Sequence, residues 1–197
     1  MKTITLVRHG KPVIWNQYSP LSMISSERIA NVIEEYDHSE LINKVDNKNA
    51  ILDLIKTGDL FLSSDLKRAK KSYELLGISD YKADVLFNEA KLPLQFIKKK
   101  IKLPVFIWVF LLRIIWLLGY HNSSCESVTE FSCRMDNAVQ YLEDELNNSG
   151  HIVIMAHGFV NLFLIRKLLK KGWKKNVNSI NKKFWSYSQV ILVEPGT

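Results

Sequence analysis

Two histidines of this 197-residue chain each follow a run of apolar residues and precede a glycine. The motif Arg8-His9-Gly10 comes after residues 4–7, and the motif Ala156-His157-Gly158 comes after residues 152–155. A neutral imidazole nitrogen can attack phosphorus in line with the leaving oxygen and form a phosphohistidine, which water then hydrolyses. Taken alone, a histidine at a strand end is more often a polar residue without a catalytic role, so this chemistry depends on the residues around it.

Arginines near these histidines could bind a phosphoryl group. Its transfer spreads negative charge over the equatorial oxygens, which fixed donors stabilise. Arg8 and Arg68 each present a planar guanidinium that can donate to two oxygens, and His157 can add a further donor. In a regular strand Arg8 and His9 would point to opposite faces, so both serve one site only if the strand has ended, which Gly10 makes easy.

A carboxylic acid would complete this chemistry. The leaving alkoxide must be protonated, and a carboxyl group whose pKa is raised by burial can donate that proton. The segment Leu86-Phe87-Asn88-Glu89 carries a candidate, and Asp84 is a nearby rival. The sequence lacks the clustered ligand spacing of a metal site and the Cys-x5-Arg, Asp-x-Asp and Gly-x4-Gly-Lys motifs of other phosphoryl-transfer enzymes. We therefore expect no metal and no other cofactor.

The order of these motifs resembles that of the histidine phosphatase superfamily, the phosphoglycerate-mutase-like enzymes. That family has Arg-His-Gly, then Ser-Ser-x-Leu-x-Arg-Ala, then a glutamate, then Gly-Glu-Ser at the start of a long helix, and finally Ser-His-Gly. This chain has the second motif at residues 63–69, Cys125-Glu126-Ser127 in place of Gly-Glu-Ser, and Ala156 before the second histidine. The resemblance covers most of the chain in outline.

The resemblance implies a role for each of these residues. The catalytic residues would be His9 as nucleophile, Glu89 as general acid and then base, and His157; the substrate-binding residues would be Arg8, Arg68 and Asn16. The residue Asn16 resembles an asparagine that follows the first motif in the family, but it is shifted by one position. The implied function is a phosphatase that hydrolyses a small phosphomonoester. A phosphoglycerate-mutase-like phosphotransferase and a non-catalytic, membrane-associated phosphate-binding scaffold are the alternatives.

Hydrophobic patterns predict the elements that must position these residues. Apolar and β-branched runs predict strands at residues 4–7, 60–62, 85–87, 152–155 and 189–193. Helical periodicity predicts helices at about residues 25–36, 66–76, 126–146 and 160–171, with another that ends near residue 55. Residues 63–65 are predicted to cap the start of the helix at 66–76. This alternation predicts an α/β fold, a three-layer sandwich with a mostly parallel central sheet, helices on both faces and a helical apolar lid insert.

The predicted insert spans residues 97–120. Within it, residues 103–118 contain a single charged side chain, Arg113, and follow Lys98, Lys99, Lys100 and Lys102. A helix of 16 residues is about 24 Å long, which is short of the roughly 30 Å of a hydrocarbon core. Three interpretations stay open: a lid with buried apolar faces, a helix resting on an anionic membrane surface, and a dimer surface. A lid of this kind would favour a substrate with an apolar leaving group.

Composition predicts one globular domain over residues 1–197. The 27 basic and 20 acidic residues give a net charge of +7, which favours an anionic partner. No nucleic-acid recognition motif accompanies the lysines, so we expect no nucleic-acid partner. The two cysteines and the absence of a signal-peptide pattern predict a cytoplasmic protein, with peripheral membrane contact through residues 98–118 as the open alternative. Both a monomer and a homodimer are compatible with the sequence.

Overall fold

The computed structural model describes residues 1–46, 48–94, 101–178 and 183–192, and these contain eight strands and six α-helices. The strands are β1 (Lys2–Arg8), β2 (Met23–Ser25), β3 (Leu60–Ser64), β4 (Lys82–Asp84), β5 (Lys102–Pro104), β6 (His151–Ala156), β7 (Lys174–Asn178) and β8 (Tyr187–Leu192). The helices are α1 (Ser26–His38), α2 (Lys48–Ile55), α3 (Lys67–Leu76), α4 (Val105–Leu117), α5 (Val128–Glu145) and α6 (Gly158–Lys170). Two 3-10 helices span Val13–Asn16 and Val85–Phe87.

Six strands form the central sheet in the order β4-β3-β6-β1-β8-β7. The four strands β4, β3, β6 and β1 run parallel, whereas β8 is antiparallel to β1 and β7 is antiparallel to β8. In the central pair, Arg8 at the end of β1 lies opposite Ala156 at the end of β6. The next residue of each strand is a motif histidine, so parallel pairing brings His9 and His157 side by side. The predicted α/β class and mostly parallel sheet are confirmed.

Contacts within the chain define two compact units. The first unit comprises Met1–Gly10, Asn43–Glu89 and Arg134–Thr197, and it holds the central sheet. On one face of this sheet, Val7 and Met155 pack with Ile51 of α2 and Tyr73 of α3. Alternation sends Ile4 and Ile154 to the opposite face, where they are also fully buried, and α6 contacts β1. The helices therefore cover a sheet that is buried on both faces, as parallel sheets usually are.

The second unit comprises Lys11–Ile42 and Ala90–Cys133. Its core is formed by apolar side chains of α1, α4 and the segments beside them: Ile14, Ile24, Ile29, Val32, Val105, Trp108 and Leu112. The short strands β2 and β5 pair antiparallel in this unit, with Met23 opposite Pro104.

The first turn of α5 begins with a capping box, in which the Glu130 amide donates to Ser127 Oγ and the Ser127 amide donates to Glu130 Oε2.

Several local predictions need correction. Residues 85–87 form a 3-10 helix and not a strand; the strand is β4, just before them. The predicted cap of α3 is also wrong, because Ser63 and Ser64 belong to β3 and no side chain caps the helix, which Leu66 precedes. The apolar insert does form a helix, but α4 buries only one of its faces. The predicted residues 97–100 and 193 lie outside the described part of the chain.

A line of buried polar side chains crosses the sheet beneath these motifs. The amide of Gln189 in β8 donates to Thr5 Oγ1 in β1, and the Thr5 hydroxyl lies 2.8 Å from Nε2 of His151 in β6. The other ring nitrogen of His151 is 3.1 Å from Thr57 Oγ1. His151 belongs to none of the sequence motifs, and it is 6% exposed within a strand.

Candidate active site

His9 lies immediately after β1 and is 1% exposed. Its main-chain amide donates to the Ala156 carbonyl at 3.0 Å, which ties it to the end of β6. The side chain is held at one nitrogen, because Nδ1 lies 2.8 Å from the Gly10 carbonyl oxygen. A carbonyl only accepts, so Nδ1 carries the hydrogen and Nε2 of the neutral ring keeps its lone pair. This is the tautomer that a histidine nucleophile needs.

His157 lies immediately after β6, and its ring centroid is 5.0 Å from that of His9. Nδ1 accepts a hydrogen bond of 3.3 Å from Arg68 Nε. Since a guanidinium only donates, Nε2 of His157 carries the hydrogen and donates to Ser64 Oγ at 2.8 Å. The Ser64 hydroxyl in turn donates to Asn88 Oδ1 at 2.7 Å. A directional chain of hydrogen bonds therefore fixes the orientation of the second histidine.

Both imidazoles are held in the neutral form. Burial is the main cause that lowers the pKa of His9 well below its ordinary value, and the positive charges of Arg68 and then Arg8 lower it further. Burial likewise lowers the pKa of His157 well below its ordinary value, followed by the charge of Arg68. Two neutral buried histidines beside two arginines form a positively charged site, which suits an anionic ligand.

Arg68 and Arg8 reach this site from different elements. Arg68 stands in the first turn of α3 and is 2% exposed. Arg8 is the last residue of β1, and its guanidinium carbon lies 4.5 Å above the ring of Phe184. Gly158 also lies close to Arg8, since a Cβ atom at this position would be 3.4 Å from the guanidinium carbon. The glycine of the second motif therefore lets the start of α6 pack closely against Arg8.

Ser72 connects the segment after β1 to helix α3. Its hydroxyl accepts from the Gly10 amide at 2.8 Å and donates to the Arg68 carbonyl at 2.7 Å. The side chain is fully buried, so losing either hydrogen bond would leave a buried polar group that water cannot reach and that has no hydrogen-bond partner. Ser72 therefore couples the position of the segment after His9 to that of Arg68.

Glu89 lies at the same end of the sheet, and its Oε2 accepts from the Phe159 amide at 3.3 Å. That amide belongs to the first turn of α6, where the helix dipole favours negative charge. Arg134 of α5 holds the preceding loop, since its Nη1 donates to the carbonyls of Leu86 at 2.6 Å and Asn88 at 3.0 Å. The rival carboxylate, Asp84, is engaged elsewhere, because it accepts from the Leu86 amide and caps the 3-10 helix.

Five of the six predicted site residues, His9, Arg8, Arg68, Glu89 and His157, belong to the first unit. The sixth, Asn16, is an exposed residue at the end of a 3-10 helix in the second unit. Within the described ranges, no group of three or more histidine, cysteine or carboxylate side chains could hold a metal ion.

Sequence reasoning missed the side chains that position the predicted ones. These are Ser64, Ser72, Asn88, Arg134 and Phe184. A weak signal existed for two of them: Ser64 is part of the motif at residues 63–69, and Asn88 directly precedes Glu89. The others carry no local signal, since their partners lie far away in the sequence.

Comparison with solved structures finds the same fold in proteins of distant sequence. A mycobacterial glucosyl-3-phosphoglycerate phosphatase, solved in complex with VO3, is 18% identical, with a TM-score of 0.58 over 96% of this chain and 92% of that one. The phosphoglycerate mutase of Bacillus anthracis strain Sterne is also 18% identical, with a TM-score of 0.58 over 96% of this chain and 88% of that one. No protein-family model and no curated protein matches the sequence. At these identities the likeness concerns the fold.

Proposed function

We propose that this chain, which has the phosphoglycerate-mutase-like fold of the histidine phosphatases, hydrolyses a small phosphomonoester through a phosphohistidine at His9. The observation that carries the proposal is the state of His9: a buried imidazole whose Nδ1–H donates to the Gly10 carbonyl, so that Nε2 carries the lone pair that would attack phosphorus. His157, Arg8 and Arg68 beside it supply donors for an anionic group.

In the first step His9 Nε2 attacks phosphorus, a P–N bond forms and the P–O bond to the leaving group breaks. Arg8 and Arg68 neutralise the equatorial oxygens, where charge accumulates in the transition state. Glu89, in its protonated form, gives its proton to the leaving alkoxide. A bound phosphate dianion also favours protonation of His157, whose Nδ1 then donates to the phosphate instead of accepting from Arg68.

In the second step Glu89, now a carboxylate, takes a proton from water as the water oxygen attacks the phosphohistidine. The P–N bond breaks, inorganic phosphate forms and His9 returns to its neutral state. No redox change occurs in either step. Glu89 gives one proton to the leaving group and regains one from water, and the proton that His157 takes from solvent when the phosphate group binds returns to solvent when inorganic phosphate leaves. This cycle explains why one carboxylate serves as acid first and as base second.

Acid-quench labelling tests this proposal. The full chain is mixed with phosphomonoesters that carry labelled phosphate and range from short polar to alkyl and aryl leaving groups. Labelled protein and released phosphate are then measured on the millisecond timescale. We expect transient label on the wild type, and we expect His9→Ala to lose both the label and more than about 10⁴-fold of kcat/KM. The exposed histidine variant His121→Ala is the matched control and should keep both.

Three results would contradict the proposal in different ways. Label that persists in His9→Ala would mean a different nucleophile. Label that moves to a second phosphorylated acceptor and not to water would favour a mutase-like phosphotransferase. Phosphate binding without label or turnover on the whole panel would favour a non-catalytic scaffold.

A further inference from the structure

Helix α4 in the second unit is apolar except for Arg113. Its buried face carries Val105, Trp108, Leu112 and Trp116, which recur at helical spacing, and the first three belong to the core of that unit. The opposite face is apolar as well, and it is exposed: Phe106, Phe110, Leu111, Ile114, Leu117 and, just after the helix, Leu118. Phe110 is 59% exposed and Leu118 is 83% exposed. Such a face normally has a partner, because contiguous exposed apolar patches mark interaction sites.

The exposed surface continues beyond the helix. The amides of Val105 and Phe106, at the start of α4, donate to the carbonyls of Ser22 and Pro20. This places the segment before β2 against the beginning of the helix. That segment exposes Leu21 (72%), and the first residue of β2, Met23, is 60% exposed. We call these eight exposed apolar residues, five on α4 together with Leu118, Leu21 and Met23, the α4 surface.

The charge of the surrounding chain is strongly one-sided. Residues 90–125 contain six basic residues, Lys91, Lys98, Lys99, Lys100, Lys102 and Arg113, and no acidic residue. The remaining residues contain 21 basic and 20 acidic residues, so almost the whole net charge of +7 belongs to the segment that includes α4. An apolar helix face in a basic segment is the combination that binds the headgroup region of an anionic bilayer.

We propose that the α4 surface binds an anionic membrane, with α4 lying in the plane of the interface. The 13 residues of α4 span about 20 Å, which fits a helix lying along a bilayer. No helix in the described ranges is long and apolar enough to cross a membrane. A second copy of the chain is a less favourable partner for the α4 surface, because a dimer through this surface would bring two segments of charge +6 together, and they would repel each other. The same positive charge attracts an anionic membrane.

This proposal is independent of the proposed phosphatase activity, because the test measures binding alone. The full chain is sedimented with vesicles of phosphatidylcholine and with vesicles that also contain phosphatidylglycerol. We expect binding to the anionic vesicles that weakens as salt rises. The double variant F110S/L118S should lose about tenfold or more of the partition coefficient, since both side chains would enter the interface. Lys102→Glu should lose at least about fivefold on anionic vesicles.

Matched controls lie in the first unit. The double variant L162S/L169S removes two exposed leucines of α6, and Lys170→Glu reverses an exposed lysine of the same helix. Both should bind vesicles like the wild type. The proposal is overturned if the wild type ignores anionic vesicles, or if F110S/L118S binds as well as L162S/L169S. It is also overturned if sedimentation without lipid shows a stable dimer that F110S/L118S dissociates, because a second copy would then cover the surface.

Discussion

Arg68 acts on both histidines of the site. Its Nε donates to His157 Nδ1. Its positive charge also lowers the pKa of His9, and it does so more than the positive charge of Arg8 does. Arg68→Gln removes this charge while keeping a polar side chain, so we expect the pKa of His9 to rise toward its ordinary value. The imidazole resonances of His9, followed by NMR against pH in the absence of substrate, measure this shift directly.

The same titration in Arg166→Gln is the control. Arg166 is an exposed arginine of α6 near Phe163, and its removal should leave the titration of His9 unchanged. If His9 titrates identically in the wild type and in Arg68→Gln, the charge of Arg68 does not contribute to the lowered pKa of His9.

Ser64 is the acceptor that fixes His157. Removing its hydroxyl in Ser64→Ala leaves the buried Nε2–H of His157 without a partner, at a cost of about 1–3 kcal/mol. If the second histidine must keep its orientation in the transition state, kcat falls about 10- to 100-fold while KM changes little. Ser64→Thr keeps a hydroxyl and should recover most of the rate.

Ser63→Ala is a close control for this experiment. Ser63 is the neighbouring serine of β3, it is equally buried, and its hydroxyl donates to the Ser64 carbonyl and not to a histidine. Nitrogen NMR of His157 should show a changed tautomer in Ser64→Ala and an unchanged one in Ser63→Ala. An equal loss of kcat in both variants would indicate that β3 was merely destabilised.

The candidate site residues stand out in local motifs, whereas the residues that position them do not. His9 and His157 each stand beside a glycine at a strand end, which is visible in three letters of sequence. The contacts that position them join distant residues: Gly10 and Ser72 are 62 positions apart, and His157 and Ser64 are 93 positions apart. Such contacts depend on parallel strand pairing, which no local pattern reports.

Among the elements, the loop before Glu89 depends on α5. Arg134 donates two hydrogen bonds to carbonyls of this loop. A hydrogen bond to a charged group contributes about 1.5–3 kcal/mol to the free energy of unfolding. Arg134→Leu should release the loop that carries the proposed acid. We expect a lower kcat on substrates with poor leaving groups and a smaller effect on activated aryl phosphates, because activated leaving groups need less protonation.

The comparison between the two substrate classes makes this test specific. A variant that is simply less stable loses the same factor on both classes, and so does a variant with damaged phosphate binding. Arg134→Lys keeps the charge and a donor nitrogen but lacks the planar geometry that places Nη1 between the two carbonyls, so it should be intermediate. Equal losses of kcat on both substrate classes would show that Arg134 does not position Glu89.

The elements that the sequence predicted well are those with strong periodicity. The strands β1, β3 and β6 and the helices α1, α3, α5 and α6 lie close to their predicted positions. The missed strands are short or polar: β7 begins Lys-Lys-Asn at the edge of the sheet, and β2 and β5 have three residues each. A central strand of a parallel sheet is buried on both faces and therefore has many apolar residues. Edge and isolated strands are less buried, so their hydrophobic pattern is weak.

On the scale of the whole molecule, charge and apolar surface are distributed unevenly. The first unit holds the buried histidines and arginines, and the second unit holds the α4 surface. Average composition could not separate these features, because the net charge of +7 combines a nearly balanced majority of the chain with one strongly basic segment. The proposed phosphatase activity of the first unit and the proposed membrane binding by the second unit can therefore be tested separately.

Three buried histidines should make the fold sensitive to acid. Burial lowers the pKa of His9, His157 and His151 below the ordinary value of about 6.5, although Thr57 and Asp59 oppose the shift at His151. Below that value the unfolded chain binds protons that the folded chain excludes, so the free energy of unfolding falls as pH falls. The stability is fully present above about pH 6.5 and is lost progressively toward the lowered pKa values.

Urea unfolding followed between pH 7.5 and 5 measures this dependence. Each neutral buried histidine adds about 1.4 kcal/mol per pH unit to the slope below pH 6.5. His9→Ala should therefore reduce the slope, and it should do so by more than His121→Ala, which removes an exposed histidine. If His9→Ala and the wild type share one slope, His9 binds protons equally in the folded and the unfolded chain, and the proposed lowering of its pKa by folding is contradicted.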